Sequence, residues 1–291
     1  MIYIVATISI SVFLLILFKL FNLYGVNSFV AIIINYAVAS ATGLVFLNGP
    51  VSKTEIISAG WLSTAIPLGA VFISIFYLIS QTAQRISIAT ASVANKMSVV
   101  IPVLFSVFYL HEELSLLKTS GIALALLAVY LSSYTGTNNP QLKKLLWLPV
   151  LVFIGSGIID ATLNYTNAFH VKSKHDSALF TTFTFFSAFC VGVIIVIYQL
   201  CLKKLSFGNL FNLKNIAGGI ILGIPNYFSI YFIFKSLDTN LLSSAQLFPV
   251  LNLCNVALAA VCGWLLFKEK LSVINISGII LALVSIILIA L

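Results

Sequence analysis

Ten apolar runs, each about the length of a bilayer-crossing helix, take up almost the whole of this 291-residue chain. They cover roughly 2–18, 28–47, 57–79, 88–110, 116–134, 145–167, 177–200, 215–234, 241–267 and 272–291. A membrane helix takes about 20 residues, so ten of them leave only short connections and no room for a soluble domain. Within hydrocarbon the backbone must satisfy its own hydrogen bonds, which for unbroken apolar runs means helices. The composition agrees: 61% of the residues are hydrophobic and 8% charged, against about 45–50% and 25% in soluble domains. A soluble enzyme and a disordered chain are both excluded. The expected fold is an all-α membrane protein of ten transmembrane helices.

The net charge of +8 does not point to nucleic acid, because the basic residues stand singly or in pairs at the ends of apolar runs, as Lys and Arg do around membrane helices. The first run lacks a basic leader, so it reads as the first helix and not as a cleaved signal. Cys190, Cys201, Cys254 and Cys262 form no CxxC pair and read as small apolar residues. No metal or cofactor is expected. With a cytoplasmic N-terminus, inside connections hold Lys53, Lys118, Lys172, Lys174 and Lys235. Outside ones then hold Lys19, Arg85, Lys143, Lys144, Lys203, Lys204, Lys214, Lys268 and Lys270. The positive-inside rule favours the reverse placement.

The segment HEELSLLKTSGIALAL matches KEKLSVINISGIILAL at one constant shift of 157 residues. The shift pairs Glu112 with Glu269, Ser115 with Ser272, Gly121 with Gly278 and Asn95 with Asn252. A five-helix repeat starts on one side of the membrane and ends on the other, so its copy must be inverted. Inverted repeats are a recurring plan of secondary transporters, with substrate held near the midplane. Residues 1–139 and 140–291 are the two expected repeats.

The Gln81-Thr82-Ala83 element, the Glu113-Leu114-Ser115 turn and the Glu269-Lys270-Leu271-Ser272 turn resemble the paired EamA domains of the drug/metabolite transporter superfamily. The resemblance implies ten helices, a central cavity and secondary transport of a small metabolite. It also implies cytoplasmic termini, against the charge count. A multi-pass location in the plasma membrane, a bacterial inner membrane, is expected. The KMSVVIPVLFSV stretch is similar to the fourth helix of nucleotide-sugar transporters, which implies that Lys96 meets an anionic group of the substrate.

Polar side chains inside a bilayer are costly and face a bundle interior or a wet cavity. Asn35, Tyr77, Gln81, Asn95, Asn164, Asn226, Tyr227, Gln246 and Asn252 fall on polar stripes of their runs and are the candidate substrate-binding residues. Lys96 lies midway along the fourth run, where an ammonium costs about 2.5–3.5 kcal/mol on insertion scales, and is the candidate anion anchor. Asp160 lies midway along the sixth and reads as a proton site or as the partner of Lys96 in a structural bridge. Pro102 and Pro249 remove backbone hydrogen bonds from the fourth and ninth runs and mark candidate gating helices. The fifth and tenth runs are nearly free of polar residues, and Gly121 and Gly278 suit close helix contacts.

The function expected is alternating-access transport of a small anionic or zwitterionic metabolite, with the bilayer and that substrate as partners and a proton or an exchanged substrate as driver. A flippase for a lipid-linked head group is the alternative; it would open its polar pathway sideways to lipid. An intramembrane enzyme is disfavoured, since HExxH and Gly-x-Ser-x-Gly are missing, and a missing Walker A lysine disfavours ATP-driven transport. No filter-like loop suggests a channel.

Overall fold

The computed structural model describes residues 1–47, 53–109, 115–134, 144–171, 173–203, 208, 212–239, 241 and 244–290. Every regular element among these residues is helical: α1 (Ile2–Tyr24), α2 (Ser28–Phe46), α3 (Lys53–Ser58), α4 (Leu62–Arg85), α5 (Ile88–Met97), α6 (Val100–Tyr109), α7 (Leu116–Ser133), α8 (Trp147–Phe169), α9 (Lys174–Cys201), α10 (Leu213–Asp238), α11 (Ser244–Phe267) and α12 (Val273–Ala290). Ten spans are long and apolar enough to cross a membrane, with α5 and the first part of α6 forming one of them, Ile88–Phe105. The chain is a multi-pass membrane protein.

Short polar residues start the helices. Ser87, Ser115 and Ser173 accept from the backbone N–H three residues on, at 2.9, 3.2 and 3.0 Å, and so cap α5, α7 and α9. Ser272 accepts likewise from Asn275 N at 3.2 Å, at the start of α12. The two serines paired by the 157-residue shift are therefore equivalent N-caps, each satisfying a backbone donor that has no helical partner. Glu112 and Glu113 of the first turn lie outside the described residues.

Several helices outrun their apolar stretches, α1 and α4 the furthest. The first was expected to stop at 18, yet α1 continues through Lys19 to Tyr24. The third was expected over 57–79, yet α4 runs from Leu62 to Arg85 after a turn at Gly60 and Trp61. Hydropathy ends where side chains become polar, but Gln, Thr and Arg continue a helix when no Gly or Pro interrupts it. Gln84 is held there by donating to Phe18 O at 2.8 Å and Ser80 Oγ at 3.1 Å.

Two compact units divide the chain. The first comprises Met1–Leu20, Leu78–Asp160 and Phe228–Leu291, and the second Phe21–Tyr77 and Ala161–Tyr227. Each draws helices from both expected repeats. In the first unit α7 and α12 pack antiparallel along their length. Gly121, near the start of α7, meets Leu288 and Ile289 at the end of α12, and Gly278, near the start of α12, meets Leu131 and Ser132 at the end of α7. Asn275 Nδ2 reaches the carbonyls of Leu131, Ser132 and Tyr134 at 3.2, 3.1 and 2.7 Å, satisfying acceptors at the C-terminus of α7. Ser285 donates to Gly121 O at 2.8 Å. Val93, Met97, Val100, Ala125, Ala128, Val256, Ala282 and Ile286 fill the core between α5, α6, α7, α11 and α12.

In the second unit α2 lies against α9, where Ser40 donates to Thr182 O at 3.3 Å. It also lies against α10, where Gly219 and Gly223 approach the carbonyls of Ala31 and Asn35. Small residues four apart allow this backbone approach. Trp61 is buried against Phe180 and Phe183, and Tyr36 against Phe76 and Phe185.

Candidate binding site around Lys96 and Asp160

The fourth span does not continue as one helix. Pro102 has no N–H to give Ser98 O, and its ring crowds that carbonyl. The regular ladder lapses at Ser98 and Val99, where Ile101 N turns to Ser98 O, three residues back, at 2.9 Å, and resumes with Val103 N on Val99 O at 3.2 Å. α5 therefore ends at Met97, one residue beyond Lys96. This places the lysine in the last turn of a helix, where a cation offsets the partial negative charge of the free carbonyls.

Asp160 of α8 comes to this break. The Ser98 hydroxyl is within hydrogen-bonding range of Asp160 Oδ2 at 3.2 Å and of Asn95 O, the carbonyl one turn back. Lys96 and Asp160 are both half-buried and feel each other's charge. Among the described residues no direct ion pair joins them, and the Lys96 ammonium, which has three protons to donate, has no hydrogen-bond acceptor. Nearby positions on the same helices are also polar. Ser92, one turn before Lys96, donates to Asn255 O at 3.3 Å. The Asn255 Oδ1 atom is buried without a protein partner, as is the hydroxyl of Ser156, one turn before Asp160 on α8.

The structure brings some of the expected site residues together and leaves others apart. Asn95, Lys96 and Asp160 share the break in the fourth span, and Pro102, buried, is its cause. Asn252 and Pro249 are half-buried on α11, Asn252 three residues before Asn255. Gln81 is half-buried near the C-terminal end of α4. The Gln246 side chain lies outside the described residues. In the second unit Asn226 Nδ2 donates to Asn35 Oδ1 at 3.1 Å, and Asn35 Nδ2 to Ile32 O at 3.4 Å, with both residues buried. That pair joins α10 to α2. Tyr77 sets its ring against Phe29 and Tyr227 against Phe46, while Asn164 is exposed.

Two charges that read as ordinary flanking residues are also inside. Lys19 Nζ lies 2.9 Å from Glu269 Oε1, with side chains only 17% and 7% exposed. The repeated glutamate of the matched turns was the one sign in the sequence that Glu269 is more than a surface charge.

No family model matches the chain. An uncharacterized protein from Haemophilus influenzae (strain ATCC 51907 / DSM 11121 / KW20 / Rd) is 29% identical over 219 residues, which cover 74% of this chain and 71% of that protein. A crystal structure of a protein aligns over 98% of both chains with a TM-score of 0.55 at 14% identity. That likeness is one of fold.

Proposed function

We propose that this chain is a secondary transporter of the EamA type, in the drug/metabolite transporter superfamily, moving a small anionic or zwitterionic metabolite across the plasma membrane by alternating access. The observation that carries the reading is the Lys96 ammonium, without an acceptor among the described residues, at a break in a membrane helix that Asp160 reaches through Ser98. A half-buried charge with no acceptor is costly, and in a membrane span such a charge marks a substrate or ion pathway. Broken helices near the midplane are where transporters hold substrate.

The pairing of α7 with α12 supports the inverted repeat. The contact of Gly121 with Ile289 becomes, under the 157-residue shift, the contact of Ser132 with Gly278, and both occur. A pseudo-two-fold axis between antiparallel copies generates this reciprocity. The energy source would be an ion gradient or exchange, with Asp160 placed to take a proton or to answer a positive group.

Lys96 and Asp160 together present one charge of each sign. A ligand carrying both charges matches both, whereas a simple anion would be repelled by an ionised Asp160. The test is a thermal-shift screen of the purified protein with anionic, zwitterionic, neutral and cationic metabolites, beside Lys96→Ala. A ligand at 100 times its Kd adds about 2.7 kcal/mol of stability, which should appear most with zwitterions, less with simple anions, and vanish in the variant. Stabilisation by such ligands that survives Lys96→Ala would sink the proposal.

A further inference from the structure

We propose that Lys19 and Glu269 are positioning residues for Lys96: together they clamp the N-terminus of α5 and so set where the lysine stands against Asp160. The inference rests on the reading of Lys96 as the substrate anchor.

The clamp is built from both ends of a helix–helix turn. α4 ends at Arg85 and α5 begins at Ile88, so the carbonyls of the first and the N–H groups of the second lack helical partners. Lys19 Nζ donates to Ala83 O at 3.0 Å, putting a cation at the C-terminus of α4. Ile88 N donates to both carboxylate oxygens of Glu269, at 3.1 and 3.2 Å, putting an anion at the N-terminus of α5. Each charge is on the side its helix dipole favours. The 2.9 Å contact between them closes the circuit.

The chain is bent to deliver this carboxylate. Lys268 adopts φ 51°, a left-handed conformation that a residue with a Cβ rarely takes. Beyond it Glu269 N donates to Gly263 O at 3.1 Å, and the carboxylate packs over Gly263, where a Cβ would stand 2.5 Å from Oε2. A strained residue of this kind persists where its surroundings fix it.

α5 is short enough to need such a clamp. It has ten residues, too few for a helix to be stable by itself, and the Ser98–Val99 break separates it from α6. Lys96 stands eight residues from Ile88, about 12 Å along the axis. A shift at the clamp is therefore transmitted to the lysine, unless the apolar packing of Val93 and Met97 holds the helix unaided.

The experiment reads geometry directly and needs no substrate. In the full-length protein with its four native cysteines replaced, Lys96→Cys and Asp160→Cys are joined by a reducible bis-methanethiosulfonate linker and the rate of joining is measured. The clamp is then removed by Lys19→Met with Glu269→Leu. An apolar pair of similar volume commonly offsets the loss of a buried ion pair, so unfolding measured in parallel should change little beyond the lost cap at Ile88 N. The expected result is a cross-linking rate changed by about tenfold, the scale of losing a cap hydrogen bond. The exchanged pair, Lys19→Glu with Glu269→Lys, restores the ion pair but leaves Ile88 N without an acceptor and Ala83 O without a donor, so it should not recover the rate. An unchanged rate in the Met/Leu protein, or a rate recovered by the exchanged pair, would overturn the proposal. If ligands prove indifferent to Lys96, the transport reading fails while this geometric result still stands.

Discussion

Replacing Gly278 by alanine tests the packing of α7 on α12 at its tightest point. The added Cβ would lie 2.5 Å from Ser132 N and 2.9 Å from the carbonyl carbon of Leu131, both backbone atoms, where ordinary contacts lie at 3.4–4 Å. No rotamer change relieves a clash with backbone, so α12 must move away by about 1 Å. Overpacking of this kind costs about 1–3 kcal/mol. The same movement stretches the three hydrogen bonds from Asn275, each worth about 0.6 kcal/mol in a membrane protein. The better helix propensity of alanine offsets about 1 kcal/mol. The net expectation is a loss of about 1–3 kcal/mol. At the reciprocal site, Gly121→Ala, the nearest atom is Ile289 Cγ1 at 2.8 Å, a side-chain atom that can turn aside, although Ile289 N follows at 3.0 Å. Its loss should be about 1 kcal/mol or less. Reversible unfolding of both variants in mixed micelles measures the two values. A Gly278→Ala protein as stable as the parent, or a larger loss at Gly121, would refute this account of the interface.

Asp160→Asn leaves Lys96 as a single charge, so ligand preference should move from zwitterions to simple anions; a thermal-shift series on charged and zwitterionic pairs reads this, and an unaltered preference would count against it. Tyr36→Phe removes a fully buried hydroxyl that has no partner among the described residues while keeping the ring between Phe76 and Phe185. Stability should hold or rise by about 1 kcal/mol, and a clear loss on unfolding would show that the hydroxyl carries a bond.

The helices were legible in the sequence because the bilayer imposes one rule on every run: apolar side chains outward and backbone bonds satisfied within the segment. The N-cap serines were legible for a local reason, since Ser115 and Ser272 open their helices whatever packs around them. The far ends of α1 and α4 were not. Lys19 and Gln84 look like residues leaving the membrane, and their tertiary partners, Glu269 and Phe18 O, are not visible in hydropathy. The polar stripes had the same weakness. Helical spacing put Asn35 and Asn226 on polar faces, but spacing cannot distinguish an amide that meets a ligand from one that meets another amide.

The two internal charge pairs differ in a way that separates their roles. Lys19 and Glu269 are in contact at 2.9 Å, and each has a further backbone partner, so little of their charge remains unanswered. Such a closed arrangement fits a structural joint, because breaking it would leave two buried charges uncompensated. Lys96 and Asp160 also carry opposite charges, yet they stop short of contact, and the lysine has no acceptor among the described residues. An evolved bundle that had only to neutralise Lys96 could have closed this pair as it closed the other. Leaving it open is costly in a membrane interior, and the cost is offset when an incoming group fills the gap. The closed pair therefore fits the proposed role of holding the fourth span in place, and the open pair the proposed ligand site.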